Sequence, residues 1–354
     1  MSWALGVLPV ALLLIGFPIY LVLLAAVSVA LVFFMHVPLA ALHQNLFGAI
    51  DAFALLAVPF FIYAGELMSR GSVAQRIVDF VQAAVGRVPG SLGVTTVGTS
   101  AIFGAISGAS AATVATVGKA MLPAMRRAGY PETFSAGLIT AVGAIDIIIP
   151  PSIPMIVYGQ AAQESVPRLY AAGVLPGLLI AAFIAAYVVW TAKKHRFERG
   201  TPFTWGNFWK GFGRGIWALG APFIILGGIY GGVFSPTEAA AVACVYAAFV
   251  TRFVFRELGW RDIVEAASVT VLFSAQILII VACAGVFSWL LTVNQVPAAI
   301  VAWLQSLNIT AWTFLLMINV ILLAVGCFLD PLSAILLLTP LLVPLVKSFG
   351  IDTV

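Results

Sequence analysis

The chain is a series of apolar runs, and what separates them carries most of the information. Residues 4–35 are almost wholly apolar, too long for a single helix across a hydrocarbon core of about 30 Å, and Gly16 and Pro18 divide them into two short spans. His36, His43, Gln44 and Asp51 form a polar interlude before a third span near 52–68. From 73 to 85 the period changes: Val73, Ile77, Phe80, Val81 and Ala84 recur at helical spacing among Arg76, Asp79 and Gln82, which predicts an amphipathic helix lying along the membrane interface. Two apolar limbs follow, near 92–106 and 110–125, interrupted by Ser107, Gly108, Ala109 and Ser110. A span required only to cross lipid has no use for such a break, because unwound backbone at membrane depth persists only where protein buries it or it lines a wet cavity. The spacing therefore predicts a helical hairpin that enters the membrane and turns inside it.

A second break comes next. The span at 134–149 runs into Pro150-Pro151-Ser152-Ile153-Pro154, and prolines at this density cannot continue a regular helix, since each lacks the amide donor and clashes one turn back. Further spans are predicted at 169–190, 216–233 and 264–291. Ser235-Pro236-Thr237-Glu238 reads as the capped start of a helix that ends near Phe253. Residues 295–308 form another amphipathic interfacial candidate, and 311–347 are again two apolar limbs, broken at Asp330-Pro331.

These features repeat. Shifted by 221 residues, Pro123 falls on Pro344, Arg126 on Lys347, Gly129 on Gly350 and Ala109 on Asp330. Each half, 1–200 and 201–354, reads as spans, interfacial helix and broken hairpin, with the second half incomplete. The predicted fold class is an all-α polytopic membrane protein with inverted repeats, two re-entrant helical hairpins and broken helices.

Composition and charge sharpen this picture. The 354 residues are 62% hydrophobic and 8% charged, with a mean hydropathy of +1.12. Soluble domains carry roughly 25% charged residues, which excludes a soluble globular class, and the net charge of +4 is no sign of nucleic-acid binding. Sidedness is the useful quantity. Placing the base of the first hairpin in the cytoplasm puts there all but Lys119, Arg168 and Lys347 of the 17 Lys and Arg residues, whereas the base of the second hairpin is nearly free of positive charge. By the positive-inside rule the halves are inverted and the N-terminus is outside. Inverted repeats with broken elements near the midplane are the signature of secondary transporters. Cys244, Cys283 and Cys327 lie in apolar runs without metal-ligand spacing and read as small buried hydrophobes.

The breaks are also where chemistry is expected. Ser107, Ser110, Thr113 and Ser152 offer neutral oxygens beside freed backbone carbonyls, which suits a dehydrated sodium ion, and half-helix N-termini favour anionic substrate groups. The competing reading is that small residues merely allow close packing. Asp146 and Asp330 lie deep within apolar runs, where an ionisable group is costly and marks an ion ligand or proton carrier. Lys119 is expected to snorkel or to pair with a carboxylate, and Trp3, Trp190, Trp205, Trp209 and Trp260 fit interfacial belts. An intramembrane aspartyl protease using Asp146 and Asp330 would need the two carboxylates to share a proton, and the CFLD context lacks a glycine-rich approach. A channel fits two inverted broken hairpins less well than alternating access does.

Four stretches, SGASAATVATVGKAMLPAMRRAGYP, IIIPPSIPMIVYG, FSPTEAAAVACVYA and LDPLSAILLLTPLLVPLVKSFGID, resemble, in that order, the large membrane subunit of a tripartite ATP-independent periplasmic (TRAP) transporter, and the resemblance covers essentially the whole chain. It implies a multi-pass protein of the bacterial inner membrane that imports organic anions by sodium symport, with an elevator mechanism in which a transport domain carrying both hairpins moves against a scaffold. It implies no cofactor beyond the coupling sodium ions. Its partners would be a small four-helix membrane subunit and a soluble periplasmic substrate-binding protein; the alternative is an anion permease, proton- or sodium-coupled, that works without a binding protein. Carried onto this chain, Ser107, Gly108, Ser110, Thr113 and Ser152 would frame the substrate region, while Ser107, Ser110, Pro150, Ser152, Asp330 and Pro331 would serve sodium. The resemblance leaves dicarboxylates, sialic acids, keto acids and sulfonates open as substrates. It also implies a second proline-rich broken helix, which the same shift would put at 371–375, past Val354, so a C-terminally truncated chain that does not transport alone is expected.

Overall fold

The structure is a computed structural model that describes residues 6–35, 38–197, 200–307 and 309–354. Trp3, His36 and Arg199 lie outside the described residues. All regular elements among the described residues are helical. Among the described residues six helices are long and apolar enough to cross a membrane, or seven spans if one bent pair counts as one. The chain forms two compact units, each drawing on both halves of the sequence: one comprises residues 56–156 and 166–272, the other 1–55, 157–165 and 273–354.

The second of these begins with α1 (Val7–Ile15) and α2 (Ile19–Ala30), separated at Gly16, whose φ of +91° is a left-handed C-cap, and at Pro18, the N-cap of α2. A π-turn (Leu31–Met35) extends α2. The polar interlude proves to be largely a helix, α3 (Leu39–Ile50), begun by Pro38. His43, Gln44 and Asn45 lower the apolar signal without breaking the helix, and Asn45 Nδ2 donates back to Ala41 O at 2.8 Å.

The larger unit holds α4 (Ala57–Arg70), entered by a 3₁₀ turn at Phe53–Leu56, then α5 (Val73–Val85), α6 (Ser91–Ser107), α7 (Ser110–Arg127) and α8 (Glu132–Ile148). α5 is the amphipathic helix: Val73, Ile77 and Val81 are buried, Gln75 and Asp79 are exposed, and Phe80 packs its ring 5.6 Å from Phe208. α9 (Ile153–Ala162), of which only residues 153–156 belong to this unit, follows α8 after a 44° bend at the proline run. Then come α10 (Val166–His195), α11 (Trp205–Tyr230) and α12 (Pro236–Phe249), which a π-turn (Val250–Val254) prolongs. Trp205, Phe208 and Trp209 lie in the first turns of α11, which begins well before the span expected from 216. α12 starts with the expected capping box, Ser235 accepting from Glu238 N while Glu238 accepts from Ser235 N.

A charged knot ties α4 and α5 to the segment after α12. Glu257 accepts from the amide of Ser72 at 2.6 Å and from its hydroxyl at 2.5 Å, and pairs with Arg76 at 3.3 Å. The Arg76 guanidinium also lies 4.0 Å from the Phe255 ring centroid. Burial pulls the Glu257 carboxyl up, but the Ser72 hydroxyl and amide and the Arg76 guanidinium outweigh it and hold the group below its ordinary value.

α13 (Trp260–Val293) is followed by α14 (Val296–Ser306), α15 (Ala311–Gly326) and α16 (Pro331–Ser348). Leu304, Phe314, Ile318 and Leu345 form a small core among the last three, with Phe349 stacked on Phe314 at 4.3 Å. Of the cysteines, Cys244 and Cys283 are buried as expected, but Cys327 is exposed, because it sits where α15 ends and lipid-facing positions predominate. Trp190, Trp205, Trp209 and Trp260 are all exposed, as an interfacial belt requires.

Candidate substrate and ion site

α6 and α7 are the two limbs of the first hairpin, within a residue or two of the limits expected from their apolar pattern. Their bases meet where Thr96 Oγ1 lies 3.8 Å from Met125 Sδ, so the limbs run antiparallel. α6 stops because Gly108 takes a left-handed φ of +60° and Ala109 is extended. Glycine is required twice over at 108: a side chain is strained at that φ, and a Cβ would stand 3.1 Å from Pro151 O.

The tip of this hairpin is bonded to the break between α8 and α9. Ile153 N donates to Gly108 O at 3.3 Å. Ser152 is fully buried and its hydroxyl closes the end of α8 by donating to Ile147 O at 2.5 Å, while Pro150 and Pro151 are buried beside it. Breaks that are adjacent in sequence thus complete each other's backbone hydrogen bonds, as unwound chain in an apolar medium must.

A chain of hydroxyls leads from the tip to a carboxylate. Thr113 Oγ1 donates to Asp146 Oδ2 at 2.9 Å, and Ser107 Oγ lies 2.9 Å from Thr113 Oγ1. Thr113 has a single proton, so the bond to Asp146 leaves it an acceptor toward Ser107, whose hydroxyl therefore donates; Ala109 N, at 3.3 Å, then donates to Ser107 Oγ. Ser107, Thr113 and Asp146 are all buried, and Asp146 Oδ1 has no hydrogen-bond partner among the described residues. The hydroxyl chain polarises toward the carboxylate and shares out its charge. Ser110, half-buried, opens α7, which has no side-chain cap and no acidic residue in its first turn. Its free amides favour negative charge, while the carbonyl ends of α6 and α8 favour a cation.

The structure thus brings Ser107, Gly108, Ser110, Thr113, Asp146, Pro150 and Ser152 into one unit around paired breaks. Asp330 and Pro331 belong to the other unit. There Asp330 is exposed and acts as the N-cap of α16, accepting from Ser333 N at 3.1 Å, and Pro331 occupies the first helical position. The chain matches the family model for the tripartite ATP-independent periplasmic transporter, DctM component, over residues 6–354. It belongs to that family. It is 38% identical to a C4-dicarboxylate TRAP transporter large permease protein of Rhodobacter capsulatus over 98% of this chain and 82% of that protein. It is 39% identical to the 2,3-diketo-L-gulonate large permease of Escherichia coli, over 96% and 80%, and 39% identical to the ectoine large permease of Halomonas elongata, over 98% and 81%.

Two residues of this permease's candidate site did not stand out in the sequence. A Cβ on Gly104 would come 2.3 Å from Asp146 Oδ1 and 2.9 Å from its Cα, so the bare glycine is what lets α8 deliver the carboxylate. Gly65 of α4 plays the same part behind Ser107, where a Cβ would stand 2.9 Å from the Ser107 Cα. Their only trace was a glycine inside an apolar helix, which marks a close approach without naming its partner.

Proposed function

We propose that this permease is the membrane subunit of a sodium-coupled secondary transporter that imports small organic anions, carboxylates foremost. The anion arrives from a periplasmic binding protein, a small four-helix membrane subunit completes the scaffold, and the hairpins ride on an elevator-type transport domain in the bacterial inner membrane. The N-terminus is periplasmic and the halves 1–200 and 201–354 are inverted repeats. In this reading Ser107, Gly108, Ser110, Thr113 and Ser152 frame the substrate. Ser107, Ser110, Ser152 and the carbonyl of Pro150 take one sodium, Asp330 and Pro331 serve a second at the other break, and Asp146 is an ion or proton relay.

The observation that carries the reading is the bond from Ile153 N to Gly108 O, which joins two helix breaks beside a buried carboxylate. Paired breaks supply carbonyl ends for a cation and amide ends for an anion in one place, and a carboxylate held there through two hydroxyls responds to whichever cation enters. The names of the relatives, C4-dicarboxylate and 2,3-diketo-L-gulonate permeases among them, favour a carboxylate cargo.

The test is uptake of a radiolabelled C4-dicarboxylate by proteoliposomes holding the complete assembly with its binding protein. Uptake should follow an inward sodium gradient without ATP and stop when potassium replaces sodium. Uptake driven equally well by a proton gradient in sodium-free buffer would instead establish proton coupling and overturn the sodium assignment. Asp330→Asn, which keeps the helix cap but removes the charge, should lose sodium dependence in that assembly.

A further inference from the structure

The lipid-facing side of the larger unit carries a groove that the transport reading does not use. It lies between the first half of α8 and the second half of α10, measures about 390 Å³, and is lined by Thr133, Phe134, Gly137, Ala141, Phe183 and Tyr187 among others. The two helices touch at their other ends, where a Cβ on Gly177 would stand 2.6 Å from Ile149 Cγ1; at Gly137 the same construction meets nothing within 4 Å. Contact at one end and small residues at the other leave an open apolar slot.

A ladder of aromatic rings leads out of the slot to a cationic mouth. Phe134 and Tyr187 are stacked at 6.5 Å, Tyr187 and Trp190 lie 6.0 Å apart, and Lys194 Nζ sits 5.7 Å from the Trp190 ring centroid. Phe183 is 72% exposed and Trp190 61%, so these rings face outward rather than into the core. Lys193, Lys194, His195 and Arg196 follow, all exposed, and none of Lys193, Lys194 or Arg196 has an ion-pair partner among the described residues. The acid at this end of α8, Glu132, is paired with Arg126.

We propose that this groove is a binding site for an anionic phospholipid. An acyl chain lies against Phe134, Gly137, Ala141 and Phe183, the rings of Tyr187 and Trp190 sit at the glycerol level where aromatic side chains favour the interface, and the amines of Lys193 and Lys194 take the headgroup phosphate. The charge pattern chooses this occupant: cations without an acidic partner among the described residues, at the mouth of an apolar slot, complement a molecule with an anionic head and an apolar tail. The site does not depend on which ion drives transport.

The experiment is photolabelling of the full chain in membranes with a phosphatidylglycerol that carries a diazirine on its acyl chain, read by peptide mass spectrometry. Labelling should concentrate on residues 133–141 and 183–190, yield to unlabelled phosphatidylglycerol far more readily than to phosphatidylcholine, and be indifferent to inorganic phosphate. The double variant Lys193→Gln/Lys194→Gln should cut it by roughly tenfold, and Ala141→Phe, which fills the slot from an exposed position, should remove it. Labelling no stronger than on the exposed face of α15 around Leu316 and Leu323, or equal competition by phosphatidylcholine, overturns the proposal. Loss of labelling when the small membrane subunit is present would assign the groove to a protein helix and overturn it as well.

Discussion

At the tip of the first hairpin Ser107 is 1% exposed and tied through Thr113 to a carboxylate borrowed from another helix, whereas at the break of the second hairpin Asp330 is exposed and caps its own helix through Ser333. The limbs differ likewise. α6 buries Thr95, Thr96, Thr99, Ser100 and Phe103, while α15 turns Leu316, Val320 and Leu323 outward. Both breaks arise from residues that end helices, yet one is satisfied within its own hairpin and the other draws in addition on a neighbour. A self-capped break keeps its shape in any surroundings, whereas a borrowed one is bound to the position of the helix that supplies the partner. The first hairpin is therefore the one whose tip is bonded to α8 and α9.

Identical substitutions in the two hairpins should break this comparison most sharply. Gly104→Ala should destabilise the protein by about 3 kcal/mol, because the new methyl collides with the Asp146 backbone and cannot be accommodated by a rotamer change. Gly326→Ala, where nothing lies within 4 Å, should stabilise it by about 0.5 kcal/mol through helix propensity. Thermal unfolding in detergent should give shifts of opposite sign; shifts of the same sign would mean that the two hairpins are packed alike.

Thr113→Val keeps the shape of the side chain but cuts the path from Ser107 to Asp146, leaving Oδ2 unpaired as well as Oδ1; it should cost about 2 kcal/mol, the penalty of an unsatisfied buried group. Thr113→Ser should restore most of this loss. At the other break Asp330→Ala should cost about 1 kcal/mol as a lost helix cap, and Asp330→Asn close to nothing, measured by the same unfolding assay.

A small effect is also expected at the knot that braces α5. The carboxyl of Glu257 titrates below its ordinary value in the folded protein, so the stability it adds is complete above the unfolded carboxylate range and is lost as pH falls through the lower, folded value. Because the pair is partly exposed, the gain should stay under about 1 kcal/mol. Glu257→Gln should flatten the acid limb of stability against pH; an unchanged limb would exclude the knot as its source.

Much of the element order was legible because helix breaks are local chemistry. Gly16, Gly108 and the run from Pro150 to Pro154 interrupt helices through their own backbone constraints, and the Ser235 capping box needs only four consecutive residues. Where reading from local polarity failed, the competing cause was packing or exposure. α3 carries His43, Gln44 and Asn45 within a helix, since polar side chains weaken an apolar signal without preventing helical hydrogen bonds. Cys327 lies in an apolar run but faces outward, because in lipid an apolar neighbourhood does not imply burial.

The candidate site divides along the same line. Ser107, Thr113, Ser152 and Asp146 stood out as polar groups in apolar runs, which is a property of residues along a chain. That Thr113 stands between Ser107 and Asp146, that Gly104 clears the way for the carboxylate, and that Ile153 closes on Gly108 depend on three helices meeting within a few ångströms. The sequence by itself determined where helices stop and which side chains are too polar for lipid, since both follow from each residue's own backbone and solvation. Only the tertiary structure decided which polar groups meet, because a carboxylate on α8 can find its hydroxyl on α7 only after both helices have packed against α6.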